Sequence, residues 1–191
     1  MGVKEQMIEI LRNGETRRIA FSFTGTSGRS IAVDQSTFSR VADALHENRI
    51  NVVEGRFDSN IASYSARADP THNFAANTFY LGRNPRYSRL FNALIVHESV
   101  HASFDLTRTT LPWVDNEAAA YIAQAYYARN SGLPREVFDF GSQPILGYSV
   151  VQGMRSNSTI DIDFFLNALR DNLRGDPLYS GYIGGTFSGD G

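Results

Sequence analysis

Apolar residues recur at helical spacing in the first segment. Val3, Met7, Ile8, Ile10 and Leu11 predict an amphipathic helix over residues 3–12, stopped by Asn13-Gly14. Ile19, Phe21 and Phe23 then alternate with Ala20 and Ser22, which predicts a strand over residues 18–24 with one buried face. Helical spacing returns with Phe38, Val41, Ala42 and Leu45, so residues 36–47 are expected to be a helix with Ser36 as its N-cap. Residues 50–53 and 61–66 are short strand candidates. Residues 77–82 form another, with Phe79 and Leu81 on one face. The polar stretch 69–77, opened by Asp69-Pro70, predicts a loop.

After the turn signal Asn84-Pro85 the pattern becomes helical and stays so. Residues 87–104 predict a long helix, Pro112 marks a break, and residues 115–129 predict a second long helix ended by Ser131-Gly132. Residues 143–154 and 161–173 read as weaker helices. From Asp176 on, Gly181, Gly184, Gly185, Gly189 and Gly191 predict an irregular tail. Strands early and helices late, with no internal repeat and no long linker, predict one α+β domain over residues 1–175 and a tail at 176–191.

Composition narrows the chemistry. A chain of 191 residues can bury a sizeable core without disulfides or a structural metal. Its net charge of -2 argues against a general nucleic-acid binder. No apolar run is long enough to span a bilayer, and the first residues lack the apolar core of a secretory signal. The expectation is therefore a cytoplasmic protein, or one exported by a non-classical route, with neither membrane nor nucleic acid as partner. The absence of cysteine removes thiolate metal sites and thiol nucleophiles. Four histidines and the carboxylates remain.

Two of those histidines share one pentapeptide, His97-Glu98-Ser99-Val100-His101, inside the long predicted helix. Residues four apart project from one helix face, so both imidazoles can reach one Zn²⁺ ion. Glu98 is turned by about 100° from His97, beside the metal face, where its carboxylate can accept a proton from an attacking water. His46-Glu47 begins the same way but lacks the second histidine, and His46 reads as a surface or capping residue. His72 reads as a solvated loop residue. A third ligand is required, and Asp105, Asp115 and Glu117 are the downstream candidates. A chain reversal at Pro112 would let Glu117, in the first turn of the next helix, face the two histidines.

His97-Glu98-x-x-His101-Ala102, then Asp105, then Asn116-Glu117-Ala118 resembles the gluzincin metallopeptidases. The resemblance spans about residues 77–128 and implies a compact, minimal zincin: a central active-site helix, a second helix packed on it, and a small N-terminal sheet. It implies Zn²⁺ as cofactor, His97, His101 and Glu117 as ligands, and Glu98 as the general base. The family's following aspartate, which orients a ligand histidine, falls here on Tyr121. Asn116 and Asp105 are further candidates for orienting the ligands, and Tyr121 or Tyr148 for donating to a developing oxyanion. Residues 77–82 are expected at the sheet edge, at the lip of the cleft, where an extended peptide or protein substrate would pair. The leading expectation is thus a zinc-dependent peptidase. A zincin-like binding module without catalysis, or an effector protease domain, is the alternative.

Overall fold

The computed structural model describes residues 2–57, 61–82, 88–138, 142–155 and 161–191. The first apolar stripe forms α1 (Val3–Arg12), which buries Met7, Ile10 and Leu11. Asn13 ends it and also starts the short α2 (Gly14–Arg17), its side chain accepting from the Thr16 N–H at 2.8 Å. The strand expected over residues 18–24 is realised as β1 (Phe21–Thr24). It reverses into β2 (Ser30–Val33), an antiparallel partner that short, half-polar Ser-Ile-Ala-Val does not announce. Gly28 in the reversal has φ +79°, a conformation only glycine adopts without strain.

Asp34, not Ser36, caps α3 (Gln35–His46). Its carboxylate accepts from the Ser36 N–H at 2.8 Å, while the Thr37 hydroxyl accepts from the Asp34 N–H at 3.1 Å. This reciprocal pairing satisfies two helix-end donors at once, an advantage Ser36 cannot match from inside the first turn. Phe38, Val41, Ala42 and Leu45 are all buried, as their spacing demands.

The next three strands are β3 (Asn51–Phe57), β4 (Ala62–Ser65) and β5 (Thr78–Gly82). Their order is β3-β5-β4, with β3 parallel and β4 antiparallel to β5. The placement of residues 77–82 at the sheet edge is therefore wrong. β5 is the central strand and every one of its residues is buried, whereas β3 and β4 are the outer strands and β4 packs on the long helix that follows. Thr78-Phe79-Tyr80-Leu81 offers bulk to both faces, which suits a strand covered on both sides; Ser63 and Ser65 leave β4 half-polar.

That helix is α4 (Arg89–Leu106), capped by Ser88, whose hydroxyl accepts from the Phe91 N–H at 3.1 Å. Asn84-Pro85 and Tyr87, the expected helix start, lie outside the described residues. A short strand β6 (Thr110–Pro112) leads into α5 (Trp113–Asn130), which packs on α4. α6 (Ser142–Arg155) crosses α5 closely: a Cβ at Gly147 would lie 2.8 Å from the Tyr121 carbonyl oxygen. α7 (Ile162–Gly175) is capped by Asp161. No helix among the described residues is long and apolar enough to cross a membrane.

The last residues are more ordered than their glycines suggest. After a turn at Pro177–Tyr179 they form β7 (Thr186–Ser188), antiparallel to β6, and they bury Tyr179, Ile183 and Phe187. Gly189 presses on α4; a Cβ there would stand 2.6 Å from the Asp105 Cα and carbonyl oxygen. Glycine at that position permits contact rather than irregularity.

Candidate functional site

α4 is buried along most of its length, so the polar residues at 97, 98 and 101 demand partners. The four-residue spacing sets the imidazoles of His97 and His101 side by side, ring centroids 5.1 Å apart. Both are only 6% exposed. α5 supplies the answering groups. His97 Nδ1–H donates to Gln124 Oε1 at 3.0 Å, and His101 Nδ1–H donates to Asn116 Oδ1 at 2.9 Å.

With Nδ1 of each ring engaged by an amide oxygen of α5, both rings turn Nε2 toward Glu117. The Glu117 Oε2 atom lies 3.6 Å from His97 Nε2 and 3.7 Å from His101 Nε2. These separations are too long for hydrogen bonds. The two Nε2 atoms and Glu117 Oε2 thus converge on one point from two helices, an arrangement that a cation could join. The donor set suits a divalent metal that takes nitrogen and oxygen: tetrahedral ligands each about 2.0–2.1 Å from Zn²⁺ stand about 3.3 Å apart. Asn116 is fully buried and its Nδ2 has no partner among the described residues, so its orientation toward His101 is held at some cost.

Glu98 lies beside this cluster. Its carboxylate and the two imidazoles offer ligand atoms all within 4.8 Å of one another. Its Oε2 accepts the backbone N–H of Tyr64 in β4 at 2.8 Å. Burial pushes the Glu98 pKa up to about 7; the Glu117 charge adds to that, and His101 and the Tyr64 N–H oppose it. Glu117 moves the other way. Burial would raise it, but His101, His97 and the Tyr182 hydroxyl outweigh burial and hold it below the ordinary carboxylate value. The two carboxylates are thereby distinguished, one inclined to carry a proton and one inclined to stay charged.

The remaining sequence candidates divide. Asp115 is fully buried and engaged elsewhere, accepting from Arg170 Nη2 at 2.8 Å and from the Thr26 N–H at 2.7 Å. Asp105 is also fully buried and accepts the Tyr64 hydroxyl at 2.6 Å and the Asp190 N–H at 3.0 Å. It braces β4. Tyr121 sets its ring edge-on against His97, centroids 4.6 Å apart, while its hydroxyl pairs with that of Tyr179. Tyr148 stands on α6 with the Arg129 guanidinium 6.0 Å from its ring, and it does not line the cleft. The exposed positions of His46 and of His72, which pairs with Asp69, agree with their reading as surface groups.

Three residues of the site were not foreseen. Gln124 stands seven positions beyond Glu117, on the same helix face, and that spacing was available to read. Tyr64 and Tyr182 carried no such signal, because each arrives through a tertiary contact. The Tyr182 hydroxyl donates to Glu117 Oε1 at 3.2 Å, and its ring stacks edge-on against Trp113 at 4.7 Å. Burial raises its pKa, the Glu117 charge adds to this, and the phenol stays a donor.

These groups open onto a cleft of about 830 Å³ whose walls include Tyr64, Trp113, Tyr121, Tyr179 and Phe187. β4 forms one wall. The Ile61 carbonyl accepts from Gly82 N–H of β5, so alternation turns the backbone groups of Ala62 and Tyr64 away from β5, and the Tyr64 N–H indeed reaches Glu98. Comparison with protein-family models, with curated proteins and with solved structures returned no match for this chain.

Proposed function

We propose that the chain is a zinc-dependent peptidase of gluzincin type, with His97, His101 and Glu117 as ligands and Glu98 as general base. The observation that carries this reading is the convergence of His97 Nε2, His101 Nε2 and Glu117 Oε2, with Nδ1 of each ring engaged by an amide oxygen of α5. A Zn²⁺ ion held there would make water a stronger acid and polarise a scissile carbonyl. Gln124 and Asn116 fix the imidazole tautomers that such binding requires, as partners of ligand histidines commonly do.

Glu98 supports catalysis rather than storage of an ion. A carboxylate beside the ion with one oxygen free can accept a proton from water and pass it to a leaving amine. Its bond to the Tyr64 N–H aims one oxygen and leaves the other for the reaction. The outer edge of β4, where the Ala62 backbone groups and the Tyr64 carbonyl face the cleft, suits pairing with an extended polypeptide, the Tyr64 N–H being held by Glu98.

The test pairs metal content with cleavage. Zinc near one equivalent, lost on His101→Ala, together with metal-dependent cleavage of unfolded protein, is the expected result. Zinc retained in a His97→Ala, His101→Ala double variant would overturn the site. A zinc-loaded parent inert toward many unfolded substrates would favour a binding module.

A further inference from the structure

Residues 176–191 contact Glu117 directly and pack on the neighbours of His97, His101 and Glu98. The Tyr182 hydroxyl donates to Glu117 Oε1, leaving Oε2 toward the two imidazoles. Tyr179 pairs with the Tyr121 hydroxyl, and the Tyr121 ring rests on His97. The Asp190 N–H donates to Asp105 Oδ1, and Oδ2 of the same carboxylate accepts from Tyr64, whose own N–H holds Glu98. Trp113, with its ring centroid 6.4 Å from that of His101, is packed by Tyr182 and Phe187. Arg67, just beyond β4, donates to the Ser188 carbonyl at 2.9 Å across the mouth of the cleft.

The carboxylate of Glu117 needs such help. A side chain with a freely turning carboxylate can present either oxygen, or both, to a cation. A donor fixed on Oε1 selects Oε2 and gives a single-oxygen ligand already aimed at both Nε2 atoms. That donor comes from the C-terminal segment, not from α4 or α5. We infer that Tyr182 is a positioning residue for Glu117, and that docking of residues 176–191 and metal binding at His97, His101 and Glu117 stabilise each other. The inference rests on the metal-site reading above. Linkage makes the effect reciprocal: if the docked segment tightens metal binding, bound metal must strengthen docking by the same factor.

The experiment measures zinc affinity by competition with a chromophoric chelator, and amide hydrogen exchange of residues 176–191 with and without zinc. The variants are Tyr182→Phe, Leu178→Ala and His101→Ala. Leu178 is exposed on the same segment and carries no polar contact to the centre, so its replacement should leave zinc affinity unchanged. Tyr182→Phe should keep the melting temperature of the zinc-free protein while weakening zinc binding by about 10–100-fold, the usual cost of losing a group that orients a ligand. In the parent, zinc should slow exchange in the segment, and Tyr182→Phe should reduce that protection. Parent-like zinc affinity in Tyr182→Phe overturns the inference and leaves the metal site standing. Zinc that binds the parent without slowing exchange in the segment overturns the coupling. A parent that binds zinc no better than His101→Ala removes the metal site and the inference with it.

Discussion

Gln124 Oε1 meets His97 Nδ1 at 3.0 Å, seven residues along α5 from Glu117, so one helix face supplies a facing carboxylate and the group that orients a facing imidazole. Tyr121 lies between them on that face and braces the His97 ring by its edge. Orientation of His97 therefore falls to an amide one turn beyond the position where the gluzincin pattern expects an aspartate. Gln124→Ala should lower zinc affinity by about 10–100-fold and leave Glu98 and the cleft walls in place. Competition titration measures it. An unchanged affinity would mean that the His97 tautomer needs no partner.

Glu98→Gln separates a catalytic centre from a passive one. The amide keeps the size of the side chain and can still accept the Tyr64 N–H, but it cannot take a proton as a base. Folding and zinc content should match the parent, while cleavage of an unfolded protein falls by at least about 10²–10⁴-fold. Glu117→Gln should instead lose zinc first, because it weakens a ligand. Equal cleavage rates in Glu98→Gln and the parent would remove Glu98 from the mechanism.

How far the sequence carries depends on whether a feature is local. α1 and the core face of α3 follow from spacing alone, and so does the meeting of His97 with His101. The edge of the sheet did not, because strand order is a matter of which chains pair. Phe79 and Leu81 suggested one buried face, and the burial of Thr78 and Tyr80 on the other face marks β5 as central. The C-terminal glycines misled for a related reason. Glycine records permission for the backbone to come close or to turn, and only the partner shows which. At Gly189 the partner is α4; Tyr182, seven residues earlier, then reaches Glu117 across a sequence separation no local pattern spans.

The cap of α3 yields a pH-dependent prediction. Asp34 sits below its ordinary pKa of 3.8, first because of the Ser36 hydroxyl; burial opposes this, and the backbone N–H groups of Ser36 and Thr37 with the Arg40 charge add to the lowering. A lowered folded-state pKa places the stabilisation above 3.8 and removes it as pH falls through the folded value. Asp34→Ala should cost about 0.5–2 kcal/mol near neutral pH, and the gap to the parent should narrow as the pH falls below about 4. Urea unfolding at several pH values measures it. A gap that widens on acidification would contradict the cap.

Two glycine replacements test whether the C-terminal segment is docked on α4. At Gly175, the last residue of α7, an added Cβ meets nothing within 4 Å and φ is not in the left-handed region. Gly175→Ala should therefore be neutral or stabilise by up to about 1 kcal/mol, since it restricts the unfolded chain. At Gly189 the added Cβ would lie 2.6 Å from the Asp105 Cα and 2.7 Å from the Phe104 carbonyl oxygen, both backbone atoms that cannot swing aside. The segment has to lift, which strains the bond from the Asp190 N–H to Asp105 and the pairing of β7 with β6. Gly189→Ala should destabilise by about 1–3 kcal/mol, the usual range for overpacking, and hydrogen exchange should quicken over residues 186–190 before the rest of the chain. Equal stability of the two variants would mean that residues 186–191 do not rest on α4 in solution, and the contacts from Tyr182 and Asp190 into the centre would lose their anchor.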